Sequence, residues 1–379
     1  MNACRSLGLI LGGLLLVVGG CARPAAPTGG PAPASSAPSQ PAAASAPAPA
    51  PPAGAASAPA PLPPLSPAVP VRLAIKLGAS MSDAGIYIAQ DRGYFQEQGL
   101  DVDYVNFDAG ARMIAPLAQD QIDVAAGATS AGLFNAWNRD IAIKVVADKG
   151  SQPPGNGYMA LMVRKDLIDS GQVRDYADLR GLNVAIVAKG QTDHHTMAMA
   201  LAKGGLTLAD VNIVEMAFPD QMVGLRNGSI DVALGIEPFI TKMVDDGIAV
   251  RWHGSDEIYP EQLTAAVLYG PAFVPTEAAR RWMIAYLKGV RDYNDAFKRN
   301  RGRDAVVDIL VKNIKGIDAP AYARIVAPGL DPNGKFSVAG VASDIRFYQD
   351  EGLLKQPVDA EQVVDLSFAD YAASYLGPY

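Results

Sequence analysis

The chain has 379 residues, 49% of them apolar, with 32 basic against 39 acidic side chains, the make-up of an ordinary protein of one to three globular domains. Every acid lies beyond residue 70 while Arg5 and Arg23 do not, so the last 309 residues hold 30 basic side chains and carry a net charge of about −9. Nucleic acid is thereby excluded as the expected partner, because phosphate binding needs clustered Lys and Arg, and 309 residues suffice for one large core or two medium ones.

Arg5 precedes an apolar run from Leu7 to Val18, which fits a secretory signal peptide over 1–20 and is shorter than the roughly 20 residues that span a bilayer. The run ends Val18-Gly19-Gly20-Cys21 and resembles a bacterial lipoprotein box, which implies that Cys21 is acylated and becomes the first residue of the mature protein. The only other cysteine, Cys4, leaves with the signal, so the body has no thiol for a disulfide, a nucleophile or a metal. Acyl chains such as palmitate on Cys21 would hold the protein at the extracytoplasmic face of the cell membrane. Residues 22–70 contain 16 of the 29 prolines and 18 alanines. Prolines block helix and ladder pairing, and the alanines supply too little apolar area to offset ordering entropy. Residues 21–70 are therefore expected to be a lipidated tether, reaching roughly 150 Å at full extension.

Short apolar runs then alternate with helical stretches. Strands are predicted at Val71–Leu77, Val102–Phe107, Val124–Gly127, Ala142–Val146, Tyr158–Arg164, Asn183–Val187, Val211–Met216 and Val232–Gly235. Helices are predicted at Ala84–Gln98 and Ala111–Ala118, with an almost wholly helical stretch after Thr276. The fold class is α/β. Leu117–Ala125 reads LAQDQIDVA and Leu225–Ala233 reads LRNGSIDVA, so a helix end, a polar turn and a strand start recur at an offset of 108 residues, as equivalent positions in two similar lobes would.

Taken in order, the opening strand followed by Ile86-Tyr87-Ile88-Ala89 and Gly93-Tyr94-Phe95, the IDVA turn before Gly127-Ala128-Thr129-Ser130, Asp178-Leu179-Arg180-Gly181, and Glu237-Pro238-Phe239 resemble the solute-binding proteins of ABC importers for nitrate, alkanesulfonates, taurine and thiamine pyrimidines. The resemblance covers residues 71 to about 300. It implies a two-lobed periplasmic-binding-protein-like fold with two crossover strands, near Met159–Val163 and Ala265–Phe273. Lobe 1 would comprise 71–164 plus 268–379, and lobe 2 would comprise 165–267. It also implies a monomer that hands its ligand to a membrane permease.

Ligands in open α/β sheets gather at the carboxyl ends of strands, where loops feed helix N-termini. The turns there supply Ser82 and Asp83, Thr129 and Ser130, Gln191, Thr192, Asp193 and His194, and Glu237 with Phe239, while Tyr158 and Tyr269 lie near the expected crossovers. Thr129, Ser130 and Thr192 equally suit simple helix capping, and Tyr87 and Phe239 equally suit a core. A buried anion needs cations or several free N–H donors, whereas these turns carry Asp83, Asp193 and Glu237. Carboxylates and stacking aromatics favour a donor-rich heterocycle. The expected ligand is riboflavin, in keeping with the vitamin branch of the family, with a thiamine-pyrimidine precursor or a sulfonate or nitrate as alternatives. No cofactor and no metal is expected, since His194 and His195 lack further ligands and His253 lies far off in sequence. A ligand sensor would use the same fold. Fungal thiamine-pyrimidine synthases also resemble it, but they use a cysteine-rich motif, and this body has no cysteine, so an enzyme is not expected.

Overall fold

A computed structural model describes residues 62–76, 80–260 and 262–379, all within one compact unit, Ala56–Tyr379. The signal peptide, Cys21 and the tether as far as residue 61 lie outside the described residues. The expected tether ran to 70, yet its last part lies along the body: Leu62 N–H donates to the Tyr375 hydroxyl at 2.9 Å, Leu65 N–H donates to Gln98 O at 3.2 Å, and the Arg281 guanidinium donates to Pro63 O at 3.0 Å. The two leucines supply the apolar anchorage that the Ala/Pro repeat lacks.

The first sheet runs β2 (Leu100–Phe107), β1 (Val69–Lys76), β3 (Val124–Gly127), β10 (Leu263–Tyr269) and β4 (Lys144–Ser151), with β10 antiparallel to both its neighbours. The second runs β7 (Asn212–Glu215), β6 (Asn183–Ile186), β8 (Val232–Ile236), β5 (Met159–Arg164) and β9 (Ala249–Gly254), with β5 antiparallel to both its neighbours. The two orders are the same topology. The crossovers expected near Met159–Val163 and Ala265–Phe273 are instead full sheet members, β5 in the second sheet and β10 in the first. The chain changes sheets just outside them, over 152–158 and 255–262.

The repeat in the sequence occupies equivalent places. Val124 opens β3 and pairs beside β1, and Val232 opens β8 and pairs beside β6. In each lobe the preceding aspartate binds the neighbouring strand twice. Asp123 Oδ2 accepts from Arg72 N–H and Asp123 N–H donates to Arg72 O, and Asp231 does the same with Asn183. Ile-Asp-Val-Ala is thus a way to start a central parallel strand with its entry satisfied.

Other expected elements differ in extent. Helix Ala84–Gln98 breaks at Gly93, whose φ of 73° no helix interior adopts, into Ala84–Asp91 and Tyr94–Glu97. Strand β4 runs five residues past its expected end at Val146 because polar side chains inside it are satisfied where they are buried. Asp148, its carboxyl pushed up to about 7 by burial, accepts N–H bonds from Gly150 and Asp331, both at 2.8 Å. The first lobe is backed by the long helix Glu277–Lys298, which places Trp282, Tyr286 and Tyr293 in the main core. That helix meets Ala84–Asp91 so closely that a Cβ on Gly289 would stand 2.0 Å from Gly85 O. Gly289→Ala should therefore destabilise the protein by about 1 to 3 kcal/mol through overpacking, despite alanine's helix propensity. Urea unfolding measures this, and an unchanged or higher midpoint would show that the two helices can separate freely.

Candidate functional site

Both sheets turn the carboxyl ends of their parallel strands toward each other. Between them lies a cavity of about 30 Å³. The first sheet contributes Lys76 from the end of β1, Gly127 and Ala128 after β3, Lys149 from β4, and Thr264 and Ala265 from the start of β10. The second contributes Val187 after β6, Ile236 from β8, Met159 from β5, and Gln191, Thr192 and Asp193 at the start of helix Thr192–Lys203, with Phe218 opposite Lys76. Ser80 and Ser82, from the turn between β1 and the first helix, and Tyr158 complete the wall.

The charges decide what this space can do. Lys149 is 1% exposed, forms an ion pair with Asp83 and donates to Ser82 Oγ at 3.0 Å. Asp83 is held by the turn it belongs to, since its Oδ2 accepts from Ser80 N–H at 2.9 Å. Among the described residues no carboxylate is ion-paired with Lys76, whose ammonium lies 4.2 Å from the centre of the Phe218 ring. Burial and the neighbouring charge of Lys149 push Lys76 down to about 8, against the attraction of Asp193 and Asp83. Burial pushes the Asp193 carboxyl up to about 6, although it accepts from Val187 N–H and faces Lys76.

Of the residues expected from the sequence, Ser82, Tyr158, Gln191, Thr192 and Asp193 meet around this cavity, and Asp83 reaches it through Lys149. The Gln191 amide Nε2 is buried there with no hydrogen-bond partner among the described residues. Tyr158 packs so tightly over Gly150 that a Cβ there would stand 2.4 Å from its hydroxyl, which is 2.6 Å from Thr264 Oγ1. The other expected residues lie elsewhere. Thr129 is fully buried outside the lining, and Ser130 caps helix Ala131–Trp137 by accepting from Leu133 N–H at 3.3 Å. His194 accepts from Gly190 N–H and is pushed down to about 4 by burial. Glu237 accepts from Thr241 and Val326 N–H, Phe239 packs in the second lobe, and Tyr269 donates to Ala279 O inside the first-lobe core. Tyr87 also lies in that core, edge-on to Tyr104.

Lys76 and Lys149 are the groups that sequence reasoning missed. Both cations sit on strands and not on the turns: Lys76 is the last residue of β1 and Lys149 lies two residues before the end of β4. Only Lys76 offers a sequence signal, a lysine closing an apolar strand.

The lobes touch around the cavity. Met81 N–H donates to Glu237 O at 3.3 Å, Ala131 N–H donates to Gly190 O at 2.8 Å, and the Thr192 hydroxyl donates to Thr264 O at 3.0 Å. Behind them His195 stacks on Phe347 at 4.3 Å, with its Nδ1 2.7 Å from Asp344 Oδ1.

This arrangement places a small polar cavity between the two sheets. The family model described as NMT1/THI5 like matches residues 81–295, more than half of the chain. The chain belongs to the NMT1/THI5-like family. A putative aliphatic sulfonates-binding protein of Bacillus subtilis is 26% identical over 309 residues, 78% of this chain and 86% of that protein. The alkanesulfonate-binding protein SsuA of Xanthomonas axonopodis pv. citri, solved with MOPS bound, is 17% identical with a TM-score of 0.62 over 78% of this chain and 98% of its own. The periplasmic nitrate-binding protein NrtA of Synechocystis is 13% identical with a TM-score of 0.66 over 81% and 89%. At such identities these two structures establish the two-lobed fold of this family member. Among its described residues no helix is long and apolar enough to cross a membrane.

A raised carboxyl in the folded state stabilises at low pH and loses that contribution as pH rises. For Asp193 the contribution is complete below the unfolded value of about 3.9 and is lost as pH rises through about 6. Asp193→Asn keeps an acceptor for Val187 N–H, so its melting temperature relative to wild type should climb between pH 4 and 7, by the equivalent of roughly 2 kcal/mol. Thermal unfolding at several pH values tests this, and a pH-independent difference would show that Asp193 is not desolvated.

Proposed function

We propose that this chain is the extracytoplasmic solute-binding lipoprotein of an ABC importer, anchored through Cys21, and that it closes two lobes around a small anion, an alkanesulfonate or nitrate, for delivery to a membrane permease. The observation that carries the ligand class is Lys76, a partly buried cation lining the cavity with no ion-paired carboxylate among the described residues. Taking a cation out of water is costly, and a bound anion offsets part of that cost. The Gln191 amide adds an unsatisfied donor from the other lobe. The sulfonate- and nitrate-binding relatives support the same class.

Riboflavin was expected because Asp83, Asp193 and Glu237 were read as free acceptors. In the folded chain Lys149 neutralises Asp83, and backbone N–H groups occupy Asp193 and Glu237. The cavity of about 30 Å³ also compares with roughly 300 to 1,000 Å³ in pockets that enclose drug-sized molecules. The donors Lys76 and Gln191, unpaired among the described residues, favour the anion.

Calorimetric titration of ethanesulfonate, taurine, nitrate and riboflavin into the protein separates the readings. At least one of the anionic probes should bind, and Lys76→Met should weaken it about 10- to 100-fold, the worth of a hydrogen bond to a charged group. Binding of riboflavin with indifference to the anions, or anion binding unmoved by Lys76→Met, would overturn the proposal.

A further inference from the structure

The cavity wall carries two cations, Lys76 and Lys149, and two carboxyl groups, Asp83 and Asp193. Their charges cancel, so a monoanion entering a space sealed by both lobes would leave one negative charge in excess in a low-dielectric site. Such an excess is removed most cheaply by protonating a carboxylate. Asp83 is unsuited to the proton because it is ion-paired with Lys149. Among the described residues Asp193 has no ion pair within contact distance; it accepts from Val187 N–H, is attracted by Lys76 and shares the wall with the ligand space.

We infer that ligand binding is proton-linked, with Asp193 taking up a proton as a monoanion enters beside Lys76, which makes Asp193 the residue that sets the ligand charge the site accepts. This rests on the anion reading above. Lys76 from β1 faces Asp193, and the same wall carries Tyr158 and Lys149 from β4, the latter paired with Asp83 from the adjoining turn, while Tyr348 of helix Val338–Asp350 feels the Asp193 charge and is held neutral by burial. On its own side lie His194, with Lys189 and Glu215 beyond it. Lys149 and Asp83 satisfy each other. Tyr158 is held neutral by burial, and so is His194 near pH 7, which leaves Lys76 and Asp193 as the pair a ligand can unbalance. Burial already holds Asp193 at about 6, so a neighbouring anion has only a short way to raise it to bring protonation to neutral pH. A dianion would demand a second proton with no comparable group to receive it, so sulfate should bind more weakly than ethanesulfonate.

The experiment is calorimetric titration of ethanesulfonate and nitrate, neither of which titrates between pH 5 and 9, at pH 7 in two buffers of different ionisation enthalpy. The full mature protein and Asp193→Asn are compared, and affinities are followed from pH 7 to 5.5. Wild type should take up a substantial fraction of one proton and bind about fivefold tighter at pH 5.5 than at pH 7, while Asp193→Asn should bind with little uptake and a level affinity. Anion binding without proton uptake by the wild type, or uptake unchanged in Asp193→Asn, would overturn the inference and leave the anion reading standing. Failure of both anions to bind at any of these pH values would overturn the anion reading and this inference with it.

Discussion

Keeping one fully buried and one partly buried ammonium group at the meeting line of two sheets is the constraint on which the site is built. Moving a charge out of water costs several kcal/mol unless it is paired and hydrogen-bonded. Lys149 meets that demand inside the first lobe. The turn Met81–Asp83 folds so that one carboxylate both accepts the turn's own Ser80 N–H and neutralises the lysine, while Ser82 supplies a further acceptor. Strand β4 bulges at Lys149, between the pairings of Asp148 and Gly150 with β10, and carries polar groups into the interior. Lys76 has no such partner among the described residues, and its ammonium rests over the face of Phe218 from the second lobe. The two lysines thus meet different surroundings, one ion-paired and one resting on an aromatic face.

The second consequence concerns closure. Contacts across the cleft mix backbone hydrogen bonds at turns and helix starts with side-chain bonds of Thr192, Thr196, Glu237 and Gln262, joined behind the cavity by His195, Phe347 and Asp344. Each is modest alone, on the order of 1 kcal/mol. A set of modest contacts suits a receptor that must open again, because a ligand shifts the equilibrium only by its differential affinity for the two states. The repeated topology serves this too. Equivalent turns after β3 and β8 approach from opposite sides, and each lobe presents small residues or N–H groups where the other presents side chains.

The repeat was legible before any fold was known, because Ile-Asp-Val-Ala states a local requirement: an aspartate that satisfies the neighbouring strand and then a run buried on both faces. Five of the expected residues line the cavity for a related reason. Ser82, Gln191, Thr192 and Asp193 sit at helix starts after strands, and Tyr158 sits just before a strand at the change of sheet. Tyr269 and Phe239 misled because an aromatic near a turn reads alike whether its ring faces a cleft or a core. Glu237 misled because a carboxylate at a helix start reads alike whether it awaits a ligand or holds its own helix's N–H groups.

What the sequence determined by itself is therefore everything carried by near neighbours: the α/β alternation, the two-lobe echo, the composition of the leading 70 residues and the turns that end strands. The character of the site was decided only by tertiary structure. Lys76 and Lys149 are 73 positions apart, one inside an expected strand and the other beyond the end of one. The first sheet brings their strands to one edge, and the second lobe closes over it. Whether an acid awaits a ligand or already faces a lysine depends on distances through space and on the water excluded between the groups, and no local pattern encodes either.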